Sequence, residues 1–199
     1  MSCGEKDQLV IGLTGGIACG KSTALACFDQ LGWETISTDV IAHRLLLEDE
    51  RVETSLRKEF GEKIFSSKGT IDKGRLGCLA FDDPSKRRWL EKLLHPLIRK
   101  EWLRAVKVAK IERIVVEVPL LFENALESEF DFVVSVFTNE LTQMHRLMER
   151  GLDKAEAKNR LAAQLPVEEK AGRADFVLLG EGGLAYLERQ VERLCITFS

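Results

Sequence analysis

The feature that most limits what this chain can become is Gly15-Gly16-Ile17-Ala18-Cys19-Gly20-Lys21-Ser22, followed by Thr23. Ahead of it, Leu9-Val10-Ile11-Gly12-Leu13 is short, apolar and branched, which predicts a buried strand. Behind it, Thr23 to Leu31 predicts a helix with Leu25, Phe28 and Leu31 turned inward. A glycine-rich turn between strand and helix, closing on Gly-Lys-Ser, satisfies the phosphate-binding pattern G-x-x-x-x-G-K-[ST]. The glycines let several backbone N–H groups converge on one point, and the helix adds its N-terminal partial positive charge there. Gly15, Gly16, Ile17, Ala18, Cys19, Gly20, Lys21, Ser22 and Thr23 are therefore the expected nucleotide-binding residues. Lys21 is placed to reach the β- and γ-phosphates, and the Ser22 hydroxyl to sit on Mg²⁺.

The chain around this loop has 199 residues, enough for one domain with a small insertion and a substantial core. A formal net charge of −3 argues against a general nucleic-acid binder, while leaving room for a local basic pocket. No apolar run approaches the ~20 residues of a membrane span, and the first residues, Met1 to Gln8, are polar and mixed in charge. The five cysteines include no Cys-x-x-Cys pair and accompany only three histidines, which disfavours a disulfide framework or a zinc site. The expected location is the cytoplasm.

Four later segments read as further strands: Glu34–Ser37, Arg113–Val118, Phe132–Phe137 and Phe176–Leu179. They are short and mostly continuous in Val, Ile, Leu or Phe, as strands covered on both faces are. Helical stretches between them predict a parallel sheet with right-handed crossovers. From Asp39 to Lys110 no strand is evident. That region reads as helices over about Val40–Leu47, Glu50–Phe60, Lys73–Phe81 and a long stretch from Pro84, which Pro96 should end or kink near His95. After the fourth strand, Glu140–Arg150 forms a helix carrying Arg146 and Arg150 on one face, and Gly151 ends it. Asp153-x-x-Glu156 then predicts a capping box opening a helix to about Leu165, and Pro166 starts a short one.

A phosphate loop permits a switch GTPase, a motor or a small-molecule kinase. The Asn-Lys-x-Asp guanine signature is absent, and so is the hydrophobic-Asp strand end of motors. A kinase needs a second substrate pocket, a group at the acceptor hydroxyl and cations that close over the phosphoryl. Asp39, just past the second strand, is assigned to orienting or deprotonating the acceptor hydroxyl; a plain helix cap is the competing reading. Arg146 and Arg150 are the lid candidates, neutralising phosphoryl charge, against the alternative of a solvated helix face.

The chain also resembles the dephospho-coenzyme A kinase family. The likeness is carried by Ile11-Gly12-Leu13-Thr14-Gly15-Gly16-Ile17, Thr38-Asp39-Val40-Ile41-Ala42, Leu94-His95-Pro96-Leu97-Ile98 and Pro119-Leu120-Leu121-Phe122-Glu123. It continues through Arg146-Leu147-Met148-x-Arg150, Ala163-Gln164 and Ala174-Asp175. The resemblance implies ATP-dependent phosphorylation of the ribose 3′-hydroxyl of dephospho-CoA, giving coenzyme A and ADP. It matches Asp39 to the carboxylate facing that hydroxyl and Arg146 and Arg150 to lid arginines. It puts His95 and the Pro119–Glu123 block, with Leu120, Leu121 and Glu123, beside the acceptor; core packing is the competing reading for Leu120, Leu121 and Phe122, and a structural role at a helix end for His95. Lys21, Asp39 and Arg146 are then the expected catalytic residues, Arg150 joins the nucleotide contacts, and Mg²⁺ falls to Ser22.

Three positions depart from the family pattern. Ser37 stands where a first carboxylate is usual, His43 where Arg is, and Leu179-Gly180-Glu181-Gly182 where an Asn before Gly is common, which questions adenine contacts there. Glu117 lies where a Walker-B acid would help hold Mg²⁺, with a structural salt bridge as the alternative. Cys19 is a thiol at a helix N-terminus near cations, a setting that can lower a thiol pKa and make it oxidant-sensitive; an inert small side chain is the competing reading.

The expected fold is a P-loop kinase-type three-layer α/β/α arrangement with a five-stranded parallel sheet, an inserted helical substrate lobe and a short helical lid. It forms one domain over 1–199, with its core in 8–38, 111–138 and 174–199, the helical lobe in 39–110 and the lid in 139–173. The expected partner is the small molecule dephospho-CoA, with no nucleic acid and no membrane, on a monomer or weak homo-oligomer. Two rivals stay open: a kinase for a nucleoside or nucleoside monophosphate, and an ATP-binding regulatory protein that transfers no phosphoryl group.

Overall fold

A computed structural model describes residues 8–67 and 69–198; Cys3 and the polar start of the chain lie outside them. Among the described residues, five strands form one parallel sheet in the order β2-β3-β1-β4-β5, with β1 at Leu9–Gly15, β2 at Glu34–Ser37, β3 at Arg113–Glu117, β4 at Phe132–Phe137 and β5 at Phe176–Leu179. β1 is central: β3 and β4 pair with its backbone on both sides, and Ile11 and Leu13 are fully buried in the core that α1 and α9 share. The chain leaves β1 toward β2 and β3, then returns to β4 and β5 on the other flank. Strand order reverses at the C-terminal end of β1, the place where open α/β sheets bind ligands.

The chain divides into two compact units, Met1–Ser37 with Val106–Ser199, and Thr38–Ala105. In the first, α1 (Lys21–Gln30) covers one sheet face through Ala24, Cys27 and Phe28, and meets there Leu187, Val191 and Leu194 of α9 (Leu184–Thr197). Leu31, expected inward, is 41% exposed: α1 has ended, and the chain turns through Gly32 (φ 82°) to bury Trp33 instead. α6 (Glu140–Glu149) and α7 (Lys154–Ala162) pack on Ala18 through Leu147 and Ala157. The expected capping box is formed, with Asp153 accepting from Glu156 N–H and Glu156 accepting from Asp153 N–H. α7 stops short of Leu165 because Gln164 and Leu165 are committed to long-range bonds. α8 (Val167–Arg173) follows.

The second unit holds α2 (Thr38–Glu48), α3 (Glu50–Phe60), α4 (Lys73–Asp82) and nearly all of α5 (Pro84–Val108). Val52, Leu56, Phe60, Ile64, Leu76 and Leu94 make its core. α5 runs through Pro96 rather than ending there. An interior proline costs about 3 kcal/mol, and burial of Leu94, with partial burial of Leu90, Leu93, Leu97 and Ile98 around it, outweighs that. None of the described helices is long and apolar enough to cross a membrane.

Candidate active site

β1 delivers the chain into the loop under tight steric control. A side chain at Gly15 (φ 139°) would put its Cβ 2.2 Å from the Val136 carbonyl. One at Gly16 would meet Gln143 Nε2 at 2.4 Å. Ala18 is held at φ 61°, an uncommon backbone state for a residue with a Cβ. α1 then begins at Lys21 behind Gly20, and no side chain caps it, so its first N–H groups stay available to an anion. Lys21 is 8% exposed and its Nζ donates to the carbonyls of Gly15 (3.1 Å) and Gly16 (2.7 Å), across the mouth of the same loop. Ser22 and Thr23 face solvent.

A second cluster joins the ends of two strands to the first turn of α1. Glu117, at the tip of β3 and 3% exposed, accepts the Ser22 hydroxyl on one carboxylate oxygen (3.2 Å) and the Ser37 hydroxyl on the other (2.9 Å). Ser37, a departure from the resembled pattern, thus reaches a carboxylate one strand away. No group of three or more His, Cys, Asp or Glu residues capable of holding a metal occurs among the described residues. The donor set present, one hydroxyl and one carboxylate, suits Mg²⁺ bound mainly by phosphates and water.

The back of the loop is held by α6 and by the chain after α7. Gln143 Nε2 donates to the Ile17 carbonyl (2.7 Å), and the Ile17 N–H donates to Gln164 Oε1 (3.1 Å). Arg146, expected over the phosphoryl group, donates instead to the carbonyls of Ala18 (3.0 Å) and Gly180 (2.7 Å). Its geometry makes it a brace between the phosphate loop and the β5–α9 loop. That approach requires Gly180, where a Cβ would lie 2.0 Å from the Cys19 carbonyl. Glu181 accepts from the N–H (2.8 Å) and Nδ2 (2.7 Å) of Asn139, fastening the same loop to the start of α6. Arg150 ends α6, exposed to solvent.

Of the other expected residues, Asp39 is exposed in the first turn of α2, two residues past the end of β2, rather than capping it from outside. His95 lies half-buried on α5 and Leu120 half-buried after β3. Leu121 takes the core-packing alternative: it is fully buried, its methyl filling the space above Gly12 where a Cβ would come within 2.7 Å. Glu123 is engaged, pairing with Lys170 at 2.8 Å and accepting the Leu165 N–H at 3.0 Å. For Cys19 the inert alternative is the one the burial supports. Cys19 is fully buried, and that desolvation raises its pKa despite the opposing charge of Lys21. Gln143 and Lys170 are missing from the sequence-based set; neither stands in a pattern that marks it.

Residues 9–186 match the family model described as Dephospho-CoA kinase. The dephospho-CoA kinase of Enterococcus faecalis is 38% identical over 187 residues, covering 92% of this chain and 94% of that protein. Among solved structures, the dephospho-CoA kinase from Campylobacter jejuni superposes with a TM-score of 0.70 at 30% identity, covering 96% of each chain. Shikimate kinase from Acinetobacter baumannii shares the fold, with a TM-score of 0.57 at 16% identity and coverage of 98% of this chain and 96% of that one.

Proposed function

The chain belongs to the dephospho-CoA kinase family, and on that premise we propose that it transfers the γ-phosphoryl group of ATP to the ribose 3′-hydroxyl of dephospho-CoA, releasing coenzyme A and ADP. The observation that carries this reading is the glycine-rich loop with Lys21 across it and Ser22 bound to Glu117, in a chain matched to the family over 9–186. We place the activity in the cytoplasm, on a monomer or weak homo-oligomer.

The loop N–H groups and the start of α1 hold the triphosphate, and Lys21 leaves its carbonyl partners to follow the β- and γ-phosphates. Ser22, with Glu117 behind its hydroxyl, would hold Mg²⁺, which would supply positive charge to offset the negative charge of the phosphates. Asp39 accepts the proton of the acceptor hydroxyl and aims its oxygen, and His95 and Leu120 are carried from the family likeness as acceptor-binding candidates. Arg150, the exposed cation of α6, meets the phosphoryl oxygens as the lid closes and water leaves. Arg146 keeps the loop's shape from behind.

Mass spectrometry of the products from ATP and dephospho-CoA tests the reading. Phosphorylation at the 3′-hydroxyl supports it. ADP release with AMP or a free nucleoside but not with dephospho-CoA overturns it, and nucleotide binding with no phosphorylated product overturns the kinase assignment altogether.

A further inference from the structure

Lys170 is the least expected side chain in the molecule. Its segment, Val167-Glu168-Glu169-Lys170-Ala171-Gly172-Arg173, reads as a charged surface helix, yet Lys170 is 0% exposed. Its ammonium donates to the Pro119 carbonyl (2.9 Å) and pairs with Glu123 (2.8 Å). Both partners belong to the chain that leaves β3 immediately after Glu117. A second donor, the buried Thr14 hydroxyl just ahead of the phosphate loop, reaches the same Pro119 carbonyl at 3.4 Å. Arg173, one turn on, pairs with Glu127 and lies 4.6 Å over the Phe122 ring. α8 therefore holds the whole post-β3 segment through two of its basic residues.

The same carboxylate oxygen reaches the lid. Glu123 Oε1 accepts the Leu165 N–H, and the preceding residue, Gln164, accepts the Ile17 N–H of the phosphate loop. Adjacent residues at the exit of α7 are thus tied, one to the triphosphate cradle and one to the segment expected to flank the acceptor. Stability does not explain a buried charge here, because an apolar residue of similar volume serves a core as well as or better than a buried ion pair. A rigid, directional anchor does.

We propose that Lys170 and Glu123 are positioning residues, a buried strut that fixes the Gln164–Leu165 exit of α7 relative to the Pro119–Glu123 segment, so that closure of the lid helices is registered against the acceptor and not merely against ATP. This rests on the kinase reading above. Without the strut, the lid closes on ATP with its acceptor side unaligned. Acceptor affinity then falls, and ATP is spent on water: hydroxide replaces the sugar alcohol as nucleophile, giving ADP and inorganic phosphate.

The test compares wild type with Lys170→Met, and uses Lys170→Met/Glu123→Leu, which leaves no unpaired charge, should the single variant fail to fold. Amide hydrogen exchange at Leu165 and across Leu120–Glu123 reads the strut directly, without reference to activity. Exchange about tenfold faster in the variant, with α1 and α9 protected as before, supports the proposal. Steady-state kinetics should then show the KM for dephospho-CoA up by about tenfold, the KM for ATP little moved, and more than one ADP formed per coenzyme A. Unchanged Leu165 exchange, or a loss confined to kcat with one ADP per product, overturns it. A wild-type protein that leaves dephospho-CoA unphosphorylated removes the kinase reading, while the exchange comparison still decides the strut.

Discussion

The Ser22 hydroxyl donates to Glu117 Oε1 at 3.2 Å, joining the first turn of α1 to the tip of β3 across 95 positions of sequence. A hydroxyl oriented by a carboxylate presents its lone pairs outward, as a magnesium ligand needs, and the Ser37 hydroxyl holds the second carboxylate oxygen. Glu117→Gln keeps the shape and removes the charge. We expect it to raise the Mg²⁺ concentration for half-maximal activity by about 10- to 100-fold, the range for losing a supporting partner of a metal ligand. Titration of Mg²⁺ at saturating ATP checks this, with Mn²⁺ binding followed by electron paramagnetic resonance as the readout independent of turnover. Identical titrations for wild type and variant would leave Glu117 as a structural group only.

Asp39 tests the acid–base assignment. Asp39→Asn should lower kcat by about 10²- to 10⁴-fold while the KM for ATP stays near wild type, because a base contributes in the transition state and not to nucleotide binding. Lys21→Ala should lower turnover by a comparable factor while also weakening ATP. Separate kcat and KM determinations for both substrates distinguish the two. A folded Asp39→Asn protein with near-normal turnover removes Asp39 from the chemistry.

β1, β3, β4 and β5 were readable in the sequence because a covered parallel strand is apolar almost throughout, and each lies at or within a residue or two of its apolar run; β2, an edge strand of sequence Glu-Thr-Ile-Ser, rests on Ile36 and its place after α1. The phosphate loop was readable because all its parts are contiguous. What was hidden depends on strand order. Only when β3 inserts between β1 and β2 do Ser22, Ser37 and Glu117 meet, and no local spacing encodes that. The carbonyl partners of Arg146 were hidden for the same reason: the i, i+4 pattern puts it on a face with Arg150, and the carbonyls it binds come from the loops after β1 and β5. The continuation of α5 through Pro96 shows tertiary burial overriding a local breaker.

Gly180 should tolerate no side chain. In Gly180→Ala the new Cβ meets the Cys19 backbone carbonyl, which has no flexible side chain to yield. The β5–α9 loop must lift from the phosphate loop, stripping Arg146 of one carbonyl. Each hydrogen bond to a charged group contributes about 1.5–3 kcal/mol. Gly180→Ala and Arg146→Ala should therefore both raise the KM for ATP and lower thermal stability, with ATP restoring part of the lost Tm. If Arg146 acted on the phosphoryl group alone, Arg146→Ala would lower kcat and leave Tm untouched.

The buried thiols predict an alkaline limit to stability. Burial raises the pKa of Cys19, and it pushes that of Cys195 from the ordinary 9.0 to about 11. Below pH 9 the thiols are protonated in both folded and unfolded chains, and their effect on stability does not vary with pH. Above it the unfolded chain sheds those protons while the folded chain keeps them, so the unfolded state binds fewer protons and stability falls as pH rises. For Cys195 the decline should run from about pH 9 to pH 11 and level off beyond, where the folded thiol has ionised too. Thermal melts across that range check it, with Cys195→Ala expected to flatten the slope. The same burial predicts that an alkylating reagent at neutral pH modifies Cys19 only slowly in the native protein and rapidly once denaturant is added, with quantitation by mass spectrometry. Fast native modification of Cys19 that ATP prevents would return this thiol to the exposed, activated state that its place beside Lys21 suggests from sequence.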